Sequence, residues 1–534
     1  MKILIVCQHF YPEQFRVNDI AYELANRNND ITVLTGTPNY PTGKIYKGYN
    51  FKKKKEYKNN VKIIRTSIPG RGETRFSIFM NYLLFALLGS FKALFMKKDF
   101  DLVYVFQISP ITMVWPAIIV KALKNIPLII HCLDQWPISM TAGGLSKDSK
   151  IYKIIRKLSI LTYNEASLIT ISSKSFKDYF ENELNITSSK KGLIYWPSYA
   201  EDCYKNISYE NNDTFDIVFA GNIGPAQSVE TLIKAANILK KNKKIKFHIV
   251  GDGLNKSNCE KLAKSYSLDN VAFYGFYPVE EMPRFYSKAD AFVITMLDNE
   301  IVNSTLPAKL QSYMASKKPI VGAVSGEAKK IIEDADCGVC CESLDYKNLA
   351  EIIKRLTLNT NNLKKMGENG YNYYKKYFDK DKCINKLINV FKNTLKIKDK
   401  FEQTTLIKFI KFGFSGGLCM LLDLIMFSIF NYGFFQNLDM QNSIFISTIL
   451  ARIISSFANF LINRNIVFAK GNSKSIMKYY LLAIIQMITS GLIVQSLSNL
   501  TNIFALLIKI ITDIIIFIIN YFIQNKWVFN RKVK

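Results

Sequence analysis

A lysine at a predicted helix start is the residue that most directly indicates chemistry in this chain. Residues 290–322 contain a predicted buried strand (Ala291–Thr295), a loop, a predicted helix (Ala308–Ala315) and a second strand (Pro319–Gly322). A strand that leads into a helix leaves free backbone N–H groups at the sheet edge, which favours anion binding. Lys309 adds a positive charge, so we predict a site for a phosphate-bearing ligand. The loop and helix start that bear these groups are Thr305-Leu306-Pro307-Ala308-Lys309.

Two glycine-containing turns follow other predicted strands of the same sheet. Glycine allows a ligand to approach the backbone closely where a strand turns into a helix. Together with the Lys309 loop, these turns predict a nucleotide-binding crevice. The candidate binding residues in the two turns are Gly221, Asn222, Gly224, Gln227, Gly251 and Gly253.

Strand–helix alternation occurs twice, which predicts two doubly wound parallel sheets. The strands predicted in residues 2–195 are Ile3–Cys7, Ile31–Leu34, Val61–Arg65, Leu102–Phe106, Leu128–His131 and Leu168–Ile171. Those predicted after the linker Trp196–Thr214 are Asp216–Ala220, Lys246–Val250, Ala272–Tyr274, Ala291–Thr295 and Pro319–Gly322.

Two residues near strand ends of the first alternation are further candidates. The loop Gln8–Asn18 after the first strand contains Arg16, and His131 ends a strand just before Asp134-Gln135-Trp136-Pro137. In doubly wound sheets, the carboxyl ends of the strands face the ligand crevice. We therefore predict that Arg16 and His131 contribute to catalysis together with Lys309.

The composition favours a membrane over nucleic acid as the anionic partner. Lys and Arg number 71 against 43 Asp and Glu, a formal net charge of +28, and 49% of the residues are hydrophobic. The nine cysteines are scattered, and the cluster Cys337, Cys340 and Cys341 has no second pair or histidine nearby. We predict reduced thiols and no metal site. The apolar run Met1–Cys7 is too short for a signal peptide.

Residues 75–98 form an apolar segment bracketed by cations. The segment is about twenty residues long and could span a membrane, but spanning would separate the first three strands from their sheet partners. Its apolar residues share one helical face, and four lysines, Lys52–Lys55, lie upstream. We predict a helix that lies in the membrane interface beside a basic patch. An ordinary core helix is the alternative.

From Leu406 onward, four apolar segments of about nineteen residues each predict membrane spans. They are Phe412–Phe430, Ile444–Ile462, Tyr479–Leu497 and Ile503–Ile523. The loops Asn431–Ser443 and Ser498–Asn502 contain no Lys or Arg, whereas Asn463–Lys478 is basic. The positive-inside rule then places both termini and the soluble part in the cytoplasm.

The membrane block contains an internal repeat, because Asn459–Phe468 aligns with Asn520–Phe529. The repeat predicts two helical hairpins related by pseudosymmetry. Asp423, Arg452 and Asp513 lie near the middle of their predicted helices. An unpaired charge at that depth is costly, so we expect Arg452 to pair with an aspartate inside the bundle. Two roles remain open, a site for a lipid-linked phosphate or sugar headgroup and a structural ion pair.

The sequence shows no Ser/His/Asp triad, metal cluster or P-loop. What remains is a predicted cleft between the two sheets that contains cations and backbone N–H groups. Such a cleft suits group transfer from a nucleotide-diphosphate donor, because the leaving diphosphate needs electrostatic stabilisation.

Several motifs resemble those of retaining glycosyltransferases of family 4, especially the transferases of O-antigen and capsule synthesis, including the L-fucosamine transferase type. The motifs are Gln8…Phe10-Tyr11-Pro12-Glu13, Asn39-Tyr40-Pro41…Gly43, Asp134…Trp136-Pro137, Phe219-Ala220-Gly221-Asn222-Ile223-Gly224…Gln227 and Pro307…Lys309-Leu310-Gln311-Ser312-Tyr313-Met314-Ala315. The resemblance covers roughly residues 1–395. It implies an α/β GT-B fold with two Rossmann-like domains, in which Lys309 and the Thr305–Lys309 amides hold the donor diphosphate. Residues 406–534 resemble the GtrA-like membrane family, which is associated with polyprenyl-phosphate-linked sugars.

The resemblance implies four parts. They are an acceptor domain (1–195, closed by a helix near 375–395), a nucleotide-sugar domain (210–372), a linker (393–405) and an all-α four-helix transmembrane domain (406–534).

The chain departs from the family at one motif. Many members carry two glutamates eight residues apart, one towards the donor sugar and one on the ribose, where this chain has Ser304 and Ser312. Ser312 remains a candidate donor contact, and Glu327 is a possible substitute for a missing carboxylate.

The expected function is that of a membrane-associated retaining glycosyltransferase on the cytoplasmic side of the bacterial inner membrane. It would move an N-acetylated deoxyhexosamine, such as N-acetyl-L-fucosamine, from a UDP-type donor to an undecaprenyl-diphosphate-linked acceptor. We expect membrane lipids as partners, and neither a cofactor, a metal nor nucleic acid. The alternatives are GtrA-type translocation of a polyprenyl-linked sugar, with the soluble part as loader, and a GT-B nucleotide-sugar epimerase.

Overall fold

The structure is a computed structural model that divides into two compact units, Met1–Asp399 and Lys400–Lys534. It describes residues 1–49, 55–96, 99–187, 192–210, 213–358, 362–396, 405–434, 440–468, 475–500 and 505–529. Within these ranges some side chains, including those of Arg75 and Asp513, lie outside the description.

The first unit contains two sheets whose strands are parallel apart from one edge pair. The first sheet has the order β3-β4-β2-β1-β5-β6-β7-β8, and only β3 and β4 are antiparallel among its described pairs. Its strands are β1 (Lys2–Val6), β2 (Asp30–Gly36), β3 (Lys55–Lys58), β4 (Val61–Thr66), β5 (Leu102–Gln107), β6 (Leu128–Cys132), β7 (Leu168–Ile171) and β8 (Gly192–Tyr195).

The second sheet has the order β11-β10-β9-β12-β13-β14 and is parallel throughout its described pairs. Its strands are β9 (Phe215–Ala220), β10 (Ile245–Val250), β11 (Val271–Gly275), β12 (Ala291–Thr295), β13 (Ile320–Ala323) and β14 (Gly338–Cys341). Apolar side chains of the central strands alternate between two cores, one on each face. This arrangement confirms the two doubly wound sheets.

Helices connect the strands of both sheets. Those of the first sheet are α1 (Arg16–Asn26), α2 (Arg75–Leu94), α3 (Trp115–Lys124), α4 (Lys150–Tyr163) and α5 (Phe176–Asp178). Those from the second sheet to the end of the unit are α6 (Val229–Leu239), α7 (Lys256–Ser265), α8 (Pro283–Tyr286), α9 (Glu300–Ser304), α10 (Lys309–Ala315), α11 (Gly326–Asp334), α12 (Tyr346–Leu358), α13 (Leu363–Tyr377) and α14 (Lys380–Lys396).

Helix α14 returns to the first sheet and packs against it. Lys380 forms ion pairs with Asp19 and Glu23 of α1, at 3.0 and 2.9 Å. The Phe391 ring centroid lies 5.4 Å from that of Tyr104 in β5. The end of the first unit is therefore bound to its beginning by charge pairs and by aromatic packing.

Helix α2 connects β4 and β5, two strands of one sheet, which agrees with the argument that spanning would separate the first strands from their sheet partners. It packs closely on α3, since a Cβ on Gly89 would lie 3.0 Å from Pro116 Cγ. Phe76–Leu94 is long and apolar enough to cross a membrane, by length and composition alone, and it is the single such segment among the helices whose side chains are described throughout. Its outer face exposes aromatic side chains, with Phe76 72% and Phe79 58% exposed.

The basic patch predicted beside α2 is only partly described. Lys55 begins β3, and Lys52–Lys54 lie outside the described residues.

The second unit is helical, as predicted, and its described helices are α15 (Thr405–Ile429), α16 (Met440–Ile462), α17 (Ser475–Leu500) and α18 (Ala505–Ile523). A short π-helical turn follows both α16 and α18. The predicted repeat is visible in contacts between equivalent positions. Asn463 Nδ2 donates to Gln524 Oε1, 61 residues later, at 3.2 Å, and the Phe468 and Phe529 rings stack at 5.0 Å.

Candidate functional site

Lys309 lies at the first turn of α10, with its ammonium group against the second sheet. The Nζ atom is buried and makes no hydrogen bond to any described residue. It lies 3.7 Å from the centroid of the Phe219 ring in β9. Burial lowers the pKa of Lys309 to about 7. A buried ammonium group without a counter-charge is costly, so this position is suited to binding an anion.

The glycines near Lys309 are needed for backbone geometry. Gly221 (φ +137°) directly follows β9, and a Cβ there would lie 3.5 Å from Lys309 Nζ. Gly251 (φ +148°) follows β10, and a Cβ there would lie 1.8 Å from the Gly221 carbonyl oxygen. The two predicted turns are therefore in direct contact, and only glycine at position 251 permits this contact.

Asn222 and Gln227 shape the first turn. Gln227 Oε1 accepts from Asn222 Nδ2 and from the Gly224 N–H, both at 3.1 Å. A Cβ on Gly253 would lie 2.5 Å from the Ile223 carbonyl oxygen, so the second turn packs on the first. The two turns therefore lie against each other, and the contact of these residues with a ligand stays a prediction.

Two of the predicted backbone donors are not available to an anion. The Thr305 N–H donates to the Val302 carbonyl (3.1 Å), because it caps the short helix α9. Pro307 has no N–H. The prediction for these two backbone groups was wrong, and the positions of Leu306, Ala308 and Lys309 remain as candidates.

Arg16 begins α1 and lies at the edge of the first sheet. Its Nη1 is 2.7 Å from Glu201 Oε1, and its guanidinium carbon is 5.3 Å from the Tyr199 ring centroid. Burial disfavours the charge, but Glu201 and Tyr199 outweigh burial and raise the pKa of Arg16. Arg16 is thus a fixed cation that is already paired with a carboxylate of the segment between the sheets.

His131 does not reach the cleft, contrary to the prediction. It is buried in β6, with Nδ1 3.0 Å from Thr170 Oγ1. The Trp196 ring, from the segment after β8, covers it at 4.8 Å between centroids. Burial lowers the pKa of His131 to about 3, so the ring is neutral and belongs to the core.

Polar side chains connect the two sheets at Ser304 and Ser312, the positions where many members of the resembled family carry glutamates. Ser304 Oγ donates to Gln135 Oε1 (2.7 Å), and Gln135 follows β6 of the first sheet. Ser312 Oγ lies 3.5 Å from Glu201 Oε2. Glu327, the predicted substitute, is buried at the start of α11 and accepts from Ser175 Oγ. Glu327 therefore bridges the domains in this structure.

Glu13 was not predicted as a site residue, but its carboxylate connects the loops that follow β1 and β2 of the first sheet. Its Oε1 accepts from the N–H groups of Asn39 (2.8 Å) and Tyr40 (2.7 Å), and its Oε2 accepts from the Phe10 N–H (3.2 Å). His9 Nδ1 lies 2.9 Å from the same carboxylate. Glu13 thus joins two motifs that the sequence showed only separately.

Asp134 is a second residue that sequence reasoning did not select. Its Oδ2 accepts from Ser109 Oγ (2.6 Å), which in turn accepts from Trp136 Nε1 (3.0 Å). Burial raises the pKa of Asp134, and the hydrogen bond from Ser109 partly opposes this effect. The motif Asp134…Trp136-Pro137 is the sequence feature that could have identified Asp134 as a candidate.

The part of the chain that the structure describes contains no group of three His, Cys, Asp or Glu residues that could hold a metal ion. Cys337 and Cys341 are buried and donate to backbone carbonyl groups.

In the second unit, Arg452 pairs with Asp423. Its Nη2 lies 3.6 Å from Asp423 Oδ2, and Ser455 Oγ donates to Asp423 Oδ1 at 2.8 Å. The expected pair is present, but the Arg452 side chain is 72% exposed rather than enclosed by the described helices. The side chain of Asp513 lies outside the described residues.

Two family models match separate parts of the chain. Residues 202–373 match "Glycosyl transferases group 1", and residues 411–529 match "GtrA/DPMS, transmembrane domain". The first match contains both glycine turns and the Lys309 loop. The second contains the Arg452–Asp423 pair.

Relatives match the first unit. The probable glycosyltransferase WbjE of Pseudomonas aeruginosa is 26% identical over 43% of this chain and 59% of its own length, which is less than two thirds. WcaI of Escherichia coli K12, a glycosyl transferase named for colanic acid biosynthesis, is 22% identical over 73% of this chain and 99% of its own length.

Among solved structures, Anabaena HepE in complex with UDP and glucose superposes with a TM-score of 0.54 at 16% identity, covering 73% of this chain and 99% of that chain. The two-sheet architecture of the first unit is the GT-B fold.

Proposed function

We propose that this chain, which carries a group 1 glycosyltransferase domain and a GtrA/DPMS transmembrane domain, transfers a sugar from a UDP-type donor to a polyprenyl-diphosphate-linked acceptor. We propose that the product is used in surface polysaccharide synthesis, because the name of the WcaI relative refers to colanic acid biosynthesis. The proposed sugar is an N-acetylated deoxyhexosamine. The reaction needs no cofactor.

The observation that carries this proposal is the buried Nζ of Lys309, which has no hydrogen-bond partner among the described residues and lies beside two glycine turns in mutual contact. In sugar transfer, an acceptor hydroxyl oxygen bonds to the anomeric carbon while the bond from that carbon to the diphosphate breaks. The hydroxyl proton is released, and the departing UDP gains negative charge. A cation fixed beside the diphosphate stabilises this charge more in the transition state than in the ground state.

We assign UDP as the nucleotide because a protein of the same fold, HepE, was solved with UDP and glucose. We further propose that the anomeric configuration is retained, as the resemblance to family 4 implies. The resemblance also implies that no enzymic nucleophile is needed, in which case the acceptor oxygen attacks from the face that the diphosphate leaves. Lys309 supplies charge stabilisation in this scheme.

The acceptor is proposed to lie at the membrane surface. Helix α2 presents an exposed aromatic face, including Phe76, Phe79 and Phe91, next to the first sheet. The transmembrane domain would attach the chain to the bilayer, and the charge distribution of its loops favours the cytoplasmic side. Exposed N–H groups of Arg452 would suit an acidic lipid headgroup within the second unit.

The test compares Lys309→Ala with Lys317→Ala in the full chain. Lys317 is the matched control because its ammonium group lies over the Tyr371 ring at 4.3 Å, at the other end of α10. We expect Lys309→Ala to reduce turnover of the UDP-sugar at least a hundredfold, about 2.7 kcal/mol of transition-state stabilisation. Lys317→Ala should keep near-normal turnover. Near-normal activity of Lys309→Ala would refute the diphosphate assignment.

A further inference from the structure

Two serines next to Lys309 each lie against a longer polar side chain from outside the second sheet. Ser304, before Lys309, donates to Gln135 Oε1 at 2.7 Å. Ser312, one helical turn after Lys309, lies 3.5 Å from Glu201 Oε2. Gln135 belongs to the first sheet's edge, and Glu201 lies in the segment that joins the two sheets. The donor site is therefore completed by oxygen atoms that distant parts of the chain supply.

In each pair, the distance from the serine Cβ to the oxygen of its partner is similar to the length of a glutamate side chain. A hydrogen-bonded oxygen lies about 4–5 Å at most from the Cβ of the serine that contacts it. A glutamate at the serine position would place its own carboxylate at a comparable distance. The Gln135 amide oxygen and the Glu201 carboxylate thus lie about where the carboxylates of glutamates at positions 304 and 312 would lie.

We propose that Glu201 binds the ribose hydroxyl groups of the nucleotide, an assignment that rests on the function proposed above. With the diphosphate on Lys309, the sugar and the nucleoside extend in opposite directions. The sugar must lie towards the first sheet to meet the acceptor, which is the side of Gln135. The nucleoside then lies on the side of Glu201.

The surroundings of Glu201 agree with a nucleoside position. The joining segment packs on the second sheet, because the rings of Tyr204 and Tyr286 stack at 4.6 Å between centroids. Cys203 Sγ also donates to the Val279 carbonyl, in the loop after β11. The segment that carries Glu201 is therefore packed on the nucleotide-binding sheet, while the Glu201 carboxylate also pairs with Arg16 at the edge of the first sheet.

Glu201 is fixed and still has free hydrogen-bonding capacity. Arg16 Nη1 lies 2.7 Å from Glu201 Oε1, which fixes the position of the carboxylate. A carboxylate offers about four acceptor sites, so Arg16 and Ser312 leave room for two hydroxyl donors. Vicinal ribose hydroxyls can donate both hydrogen bonds to one carboxylate, and bonds to a charged acceptor are the stronger kind.

The test measures binding of UDP and 2′-deoxy-UDP to the full chain by calorimetry. Wild type should bind UDP about tenfold more tightly than 2′-deoxy-UDP, a difference of ~1.4 kcal/mol. Glu201→Gln should bind both with the same weak affinity. Glu210→Gln is the matched control, because Glu210 accepts from Ser287 Oγ (3.0 Å) in the same joining segment. It should keep the tenfold preference.

A carboxylate swap separates direct contact from a structural role. In the double variant Glu201→Ala/Ser312→Glu, the carboxylate moves to α10 and the space of the Glu201 side chain becomes available. We expect the preference for UDP over 2′-deoxy-UDP to return. A purely structural Glu201 would leave the double variant without the preference, which would overturn the assignment.

Failure of the assignment and failure of the proposed function give different results. UDP binding that depends on Lys309, with a tenfold preference that persists in Glu201→Gln, overturns only the role of Glu201. Undetectable UDP binding by wild type, or full binding by Lys309→Ala, contradicts the proposed function itself.

Discussion

At the scale of single residues, the proposed binding of the donor diphosphate would depend on the protonation state of Lys309. The pKa of this buried ammonium group is lowered to about 7 in the structure without ligand. A bound diphosphate favours the charged form and therefore raises the pKa. Binding is at full strength below pH 7, where Lys309 is already protonated. Above pH 7, binding must take up a proton and so becomes weaker.

We predict that affinity for a UDP-sugar falls about tenfold per pH unit above pH 7, up to the pKa of the complex. A UDP-sugar is the right ligand because its diphosphate diester does not titrate in this range. Calorimetry between pH 6 and about 9 measures this slope. Lys309→Met should bind weakly at every pH, with a flat profile. A wild-type profile as flat as that of the variant would show that Lys309 does not bind the diphosphate.

Individual site residues were predictable only where local spacing determined them. Lys309 and the glycines lie in strand–helix turns, whose position follows from the hydrophobic pattern. His131 also ended a strand, but Trp196 from a remote segment covers it. Glu201 and Gln135 contact serines that are 111 and 169 residues away. No local pattern encodes such contacts.

At the scale of elements, the sequence identified the interior strands and missed three at sheet edges. The strands β3, β8 and β14 each have a single neighbour in their sheet. An edge strand is less completely buried, so it can lack the apolar run that marks an interior strand. β3, for example, has the sequence KEYK and is largely exposed.

Helix α2 is the element that we expect to contact lipid. Its inner face packs on α3, while Phe79 and Phe91 are 58% and 53% exposed. We predict that tryptophan introduced as Phe79→Trp or Phe91→Trp is quenched by brominated lipids when the full chain is reconstituted, measured as the difference from wild type. An aromatic side chain in the bilayer interface is within reach of the upper acyl chains.

The control for this measurement is Leu254→Trp, since Leu254 is 93% exposed on the second sheet's side of the unit. It should show no quenching. Equal quenching at positions 79, 91 and 254, or none at any of them, would contradict the interfacial role of α2.

At the scale of the whole molecule, the chain combines a two-sheet unit with a helical membrane unit. The net charge of +28 and the hydrophobic content of 49% fit a protein that works against an anionic, apolar surface. The sequence predicted both units, because a change from alternating to continuous apolar patterning separates them. It did not predict the contacts of Ser304 with Gln135 and of Ser312 with Glu201, because these residues are distant in the sequence.

The central claim is sugar transfer to a lipid-linked acceptor. The most direct measurement supplies the reconstituted full chain with radiolabelled UDP-sugars and undecaprenyl-diphosphate-linked N-acetylglucosamine, and follows the lipid fraction. We predict that one donor yields a lipid-linked product larger by one sugar, together with an equal amount of UDP. Conversion of a UDP-sugar to its isomer, with no labelled lipid product from any donor, would contradict the claim and indicate an epimerase.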